Sequence, residues 1–116
     1  MHILYVEDNY DDAALVNRYV ETTEHMLTVV STVDEAKDML ADDIDLILLD
    51  VLIDSKRLGL DFANELRTHG WELPMVAVTA LATAGDMQHY SEVGFDGVLV
   101  KPFTIIQLAD LIDSYA

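Results

Sequence analysis

Ile44-Asp45-Leu46-Ile47-Leu48-Leu49-Asp50 is a short apolar run that stops on an acid. A run of this length, bounded by acidic residues, reads as a fully buried strand of a parallel sheet. Asp50 then stands at the strand's carboxyl end, the edge at which open α/β sheets bind ligands.

Working outward, strand and helix patterns alternate along the whole chain. Residues 2–6, 27–31, 44–49, 74–79 and 97–100 are the predicted strands, and 10–24, 33–42, 59–69, 84–93 and 104–115 the predicted helices. Thr32 with Glu35, and Thr104 with Gln107, have capping-box spacing, and Asn9 suits the N-cap of the first helix. In the last helix Ile105, Leu108, Ala109 and Ile112 form one apolar face. Gly70 and Pro74 bracket a turn, within which Trp71 is expected to pack. Five βα units with short connections predict a parallel sheet covered by helices on both faces.

The chain's 116 residues suit one domain, residues 1–116, and 52% of them are hydrophobic, enough for a core. The net charge of −16, with only 6 Lys and Arg, argues against nucleic-acid binding and against anionic membranes. No apolar run approaches a membrane span, and no basic segment precedes the first strand, so a cytoplasmic protein is expected. There is no cysteine, which removes disulfides, thiolate metal sites and cysteine nucleophiles. His2, His25, His69 and His89 show no metal-ligand spacing.

Four predicted strands deliver polar residues to one edge. Glu7 and Asp8 follow the first, Asp50 the third, Thr79 ends the fourth and Lys101 follows the fifth. Strand ends are often polar, and any one of these residues alone would read as structural. Together they suit phosphoryl chemistry. Clustered carboxylates repel one another unless a cation is present, and Mg²⁺ is a hard cation that takes oxygen ligands. A carboxylate can act as a nucleophile and form an acyl phosphate. A Thr hydroxyl can hydrogen-bond a phosphoryl oxygen, and a Lys ammonium can neutralise its charge.

Val6-Glu7-Asp8-Asn9, Leu48-Leu49-Asp50, Val78-Thr79-Ala80 and Val100-Lys101-Pro102-Phe103 resemble, in order and spacing, the signature of response regulator receiver domains. The resemblance covers essentially the whole chain. It implies a five-stranded parallel sheet in the order 2-1-3-4-5 with five helices. It implies Asp50 as phosphoacceptor, Thr79 as switch hydroxyl and Lys101 as phosphoryl contact. Mg²⁺, or Mn²⁺ in its place, would be held by Glu7, Asp8, Asp50 and the Leu52 backbone carbonyl. The implied donor is a histidine kinase or a histidine phosphotransfer protein, the implied output is binding to a downstream protein, and Lys101-Pro102 is expected to be cis.

Three departures qualify the resemblance. Ile53-Asp54 replaces the usual Met-Pro, and Gly59 lies nine residues after Asp50 rather than eight, so Asp54-Ser55-Lys56-Arg57 is an altered, longer loop, expected to be solvated. Val98 stands where the family's switch aromatic is usual. No effector domain is expected after the last helix. Leu52 and Leu81, two beyond Asp50 and Thr79, are both apolar, which predicts a long-lived aspartyl phosphate. Met87, Tyr90, Ile105 and Ile106 are candidates for an exposed apolar face.

Other readings fit less well. A haloacid-dehalogenase-type phosphatase needs a second acid where this chain has Leu52. A flavodoxin-like flavin carrier needs a Ser/Thr/Gly phosphate loop where this chain has Glu7-Asp8-Asn9-Tyr10-Asp11-Asp12. No GxGxxG follows a strand, which disfavours dinucleotide binding. A receiver-like module that binds partners without phosphorylation is disfavoured because all five site residues are present.

Overall fold

The computed structural model describes residues 1–40 and 43–116. Its elements are β1 (His2–Val6), α1 (Tyr10–Val20), β2 (Met26–Val30), α2 (Val33–Met39), β3 (Leu46–Asp50), α3 (Leu58–Thr68), β4 (Met75–Thr79), α4 (Ala84–Val93), β5 (Gly97–Val100) and α5 (Ile105–Tyr115). The strands form one parallel sheet, as the alternating pattern predicts, in the order β2-β1-β3-β4-β5 that the resemblance implies.

Alternation along each strand sends side chains to two cores. Leu4, Val6, Ile47, Leu49, Met75 and Ala77 face Ala36 of α2, Phe62, Ala63 and Leu66 of α3, and Tyr90 of α4. Ile3, Tyr5, Leu46, Leu48, Val76, Val78 and Leu99 face Val16 and Val20 of α1 and Leu108 and Ile112 of α5. All five residues of β3 are buried. Cover on both faces is why that strand reads as a continuous apolar run rather than an alternating one.

Side-chain caps set several helix ends. Asn9, Thr32, Thr83 and Thr104 each accept a hydrogen bond from the backbone three residues on. The first helix stops at Val20, short of the expected residue 24, because Thr22 and Thr23 donate their hydroxyls to the Tyr19 and Val20 carbonyls at 2.7 Å. Of the predicted helix 33–42, the final two positions lie outside the described residues. Among the described residues no helix is long and apolar enough to cross a membrane.

Candidate functional site

The β1–β3 and β3–β4 registers align Val6 with Leu49 and Asp50 with Val78. Glu7 and Asp8 therefore leave the sheet beside Asp50, with Thr79 one residue beyond Val78. Lys101 follows β5 and donates its N–H to the Thr79 carbonyl at 2.9 Å. Glu7, Asp50 and Thr79 are the buried polar residues among those described, while Asp8 is exposed.

Carboxylate oxygens of Glu7, Asp8 and Asp50 lie within 4.8 Å of one another. The Lys101 ammonium sits against this group, 2.7 Å from Glu7 Oε2 and 3.0 Å from Asp50 Oδ2. Asp50 Oδ1 accepts the Leu52 N–H at 3.0 Å, so both acceptor oxygens are held in fixed directions. Glu7 Oε2 also accepts the Tyr5 hydroxyl at 2.8 Å, and Glu7 Oε1 accepts the Asn9 N–H at 3.1 Å.

Burial pushes the Glu7 carboxyl up from 4.5 to about 7; Lys101 and Tyr5 pull it down and the neighbouring Asp50 pushes it further up. Burial alone would lower Lys101, but its carboxylate partners outweigh it and raise the ammonium well above its ordinary value. Burial, then the Glu7 charge, holds the Tyr5 hydroxyl protonated far above the usual phenol range. Tyr5 is thus a fixed donor to Glu7. Three carboxylates share the one Lys101 ammonium, and the Asp50 charge adds to burial in raising Glu7. Hard oxygen donors grouped in this way fit Mg²⁺ or Mn²⁺.

The Thr79 hydroxyl accepts the Leu81 N–H at 3.0 Å. It shares the edge with the carboxylates and is engaged with its own loop. The Leu81 carbonyl in turn accepts the Tyr90 hydroxyl at 2.8 Å, so a tyrosine of α4 pins the loop that carries Thr79. Tyr90 is fully buried and packs edge-to-face on Phe95. It is therefore a core residue and not part of an exposed face. Met87, Ile105 and Ile106 do expose apolar surface. Val98 is half-buried against the same core as Tyr90.

Residues 53–56 close a tight turn. Ile53 and Lys56 exchange backbone hydrogen bonds, with Asp54 and Ser55 at φ 54° and 57°. Two successive positive φ values describe a type I′ turn. It takes up the extra residue before Gly59, and its Asp54 N–H donates to Asp8 Oδ2 at 2.7 Å. Lys56 and Arg57 are exposed. Gly59 then packs so close to β3 that a Cβ would lie 1.7 Å from the Asp50 carbonyl oxygen. The Lys101-Pro102 peptide is cis.

Asp12 joins the site, 3.0 Å from the Lys101 ammonium. Strand-end reading does not find it, because it sits on the first turn of α1. Its position three residues after the Asn9 cap, on a helix that begins at the functional edge, is the signal that points to it.

The family model described as the response regulator receiver domain matches residues 3–113. Response regulator SaeR of Staphylococcus aureus (strain USA300) is 27% identical over 103 residues, which is 89% of this chain and 45% of that protein. The chain thus spans about half the length of the curated relatives it matches. Among solved structures, chemotaxis protein CheY4 of Vibrio cholerae is similar with a TM-score of 0.88 and 21% identity, covering 99% of this chain and 98% of that one. The Mn²⁺-bound form of response regulator Rcp1 is similar with a TM-score of 0.81 and 23% identity, covering 97% and 89%. At these identities the structural likeness establishes the fold.

Proposed function

Since the chain belongs to the response regulator receiver domain family of two-component signalling, we propose that it accepts a phosphoryl group on Asp50 and that this modification switches its binding to a partner protein. The observation that carries the reading is the Glu7–Asp8–Asp50 carboxylate group with Lys101 hydrogen-bonded to Asp50.

Each residue has a task that its surroundings support. Lys101 and the Leu52 N–H orient the Asp50 carboxylate, which has to present an oxygen to phosphorus. On transfer from a phosphohistidine, the Asp50 oxygen forms the new P–O bond, the P–N bond breaks, and the imidazole leaves with its electron pair and takes up a proton. Lys101 offsets the charge delivered to the site. Thr79 can turn its hydroxyl proton to a phosphoryl oxygen, which would draw the loop through Leu81 toward Asp50. Glu7, Asp8, Asp50 and the Leu52 carbonyl would hold Mg²⁺ or Mn²⁺, which supplies charge neutralisation when bound.

The donor is a histidine kinase or a histidine phosphotransfer protein. The self-catalysed steps are phosphorylation from a small donor and hydrolysis of the aspartyl phosphate. A dehalogenase-type phosphatase is not favoured, since its second acid would have to be Leu52. The test is intact mass after acetyl phosphate with and without Mg²⁺. One phosphoryl group added only with Mg²⁺ is expected; no addition with either, or equal addition in EDTA, would overturn the reading.

A further inference from the structure

The first turn of α1 breaks a pattern that α4 and α5 keep. In those helices the third residue reaches back to the cap: Asp86 accepts the Thr83 N–H at 3.1 Å, and Gln107 accepts the Thr104 N–H at 2.9 Å. Asp12 holds the same position in α1, but the Asn9 N–H is already donated to Glu7 Oε1. The Asp12 carboxylate is left without a cap to make, while its own N–H is fixed on Asn9 Oδ1 at 3.0 Å. It turns to the sheet edge and meets Lys101 at 3.0 Å.

An ammonium has three N–H donors. Lys101 donates hydrogen bonds to Glu7 and Asp50, and the Asp12 carboxylate faces the same ammonium as an ion pair at 3.0 Å. A phosphoryl oxygen that reaches Lys101 competes with these three carboxylates for the ammonium. Glu7 is buried and held by Tyr5 and Asn9, and Asp50 carries the phosphoryl group itself. Asp12 is the most exposed of the three, with 31% of its side chain accessible, and Lys101 is its sole side-chain ion-pair partner among the described residues. Of the three pairs this one is the most open to solvent, and so the least costly to break.

We infer that Asp12 is a positioning residue that holds Lys101 in the unphosphorylated state and is displaced from it by the phosphoryl group, so that its charge limits how strongly the site draws a phosphoryl anion. The inference rests on the receiver reading above. Asp12→Asn weakens the contact to be broken and removes one negative charge facing the incoming group.

The test is the affinity for beryllofluoride, a phosphoryl mimic, measured by calorimetry in Mg²⁺ for wild type, Asp12→Asn, Asp12→Glu and Asp11→Asn. Asp11→Asn changes net charge and the same helix turn equally but lies on an exposed position. Asp12→Asn is expected to bind about three- to tenfold more tightly, Asp12→Glu to return toward wild type, and Asp11→Asn to stay within about twofold. The rate gain of Asp12→Asn should be larger with dianionic acetyl phosphate than with monoanionic phosphoramidate. Binding by Asp12→Asn that matches wild type or Asp11→Asn, or that is weaker than wild type, overturns the inference while the receiver reading stands. Wild type that neither binds beryllofluoride nor accepts a phosphoryl group overturns both.

Discussion

Glu7 should make the metal-free domain less stable as pH rises through neutrality. Its carboxyl stands at about 7 in the fold against an ordinary 4.5. The folded chain therefore binds more protons than the unfolded chain between those values, and stability falls with rising pH across that window. The contribution is fully present below about pH 4.5 and lost above about 7. At about 1.4 kcal/mol for each factor of ten in proton affinity, the loss is on the order of 3 kcal/mol. For a domain of this size that is roughly 10 °C in Tm. Tyr5, Asp12, Asp50 and Lys101 face or neighbour this carboxyl, and the mutant control keeps all four. Thermal unfolding in EDTA from pH 5 to 8, wild type beside Glu7→Gln, isolates the Glu7 contribution, because Gln cannot titrate. Excess Mg²⁺ should flatten the wild-type slope, since a cation favours the carboxylate, and at about a hundred times its dissociation constant it adds roughly 2.7 kcal/mol. Equal slopes in wild type and Glu7→Gln, or a wild type that gains stability relative to the mutant with rising pH, would refute the reasoning.

Three further substitutions probe the surroundings. Gly59→Ala should destabilise by about 3 kcal/mol or more and impair phosphorylation, since a Cβ would collide with the Asp50 carbonyl; denaturant unfolding with intact mass checks it, and an unchanged midpoint would contradict it. Ser55→Gly should stabilise by about 0.5–1 kcal/mol, the relief of a positive φ less the extra freedom of the unfolded chain, and a lower unfolding midpoint would count against the type I′ turn. Leu81→Glu should speed decay of the aspartyl phosphate by about tenfold, because the half-buried Leu81 shields the site and a carboxylate there can orient water; a lifetime equal to wild type would remove the shielding argument.

The fold was legible because burial on both faces writes β1, β3 and β4 as apolar runs, and side-chain caps mark the starts of α1, α2 and α5, while the Thr83 cap of α4 went unread. Boundaries slipped where local hydrogen bonds decide them. Thr22 and Thr23 cap the end of α1, and β2 begins at Met26 because that residue pairs with His2. Glu7, Asp8, Asp50, Thr79 and Lys101 were visible as strand ends sharing one edge. Asp12 and Tyr5 were not, because their roles follow from a cap already filled by Glu7 and from the side of the sheet that Tyr5 faces. Tyr90 was left open between surface and core, since its spacing on α4 does not reveal that its hydroxyl folds back onto the Leu81 carbonyl. The loop at 54–57 was read as solvated, and its exposed cations are. Its backbone is nonetheless tied to the site through Asp8, a contact that side-chain chemistry cannot announce.

The central claim is that Asp50 carries the phosphoryl group. Borohydride reduction after treatment with acetyl phosphate and Mg²⁺ converts an aspartyl phosphate to homoserine, and peptide mass mapping locates it. Homoserine at position 50 in wild type and none in Asp50→Asn is the predicted result. Homoserine at another acid, or none in a chain that has gained the phosphoryl mass, would contradict it.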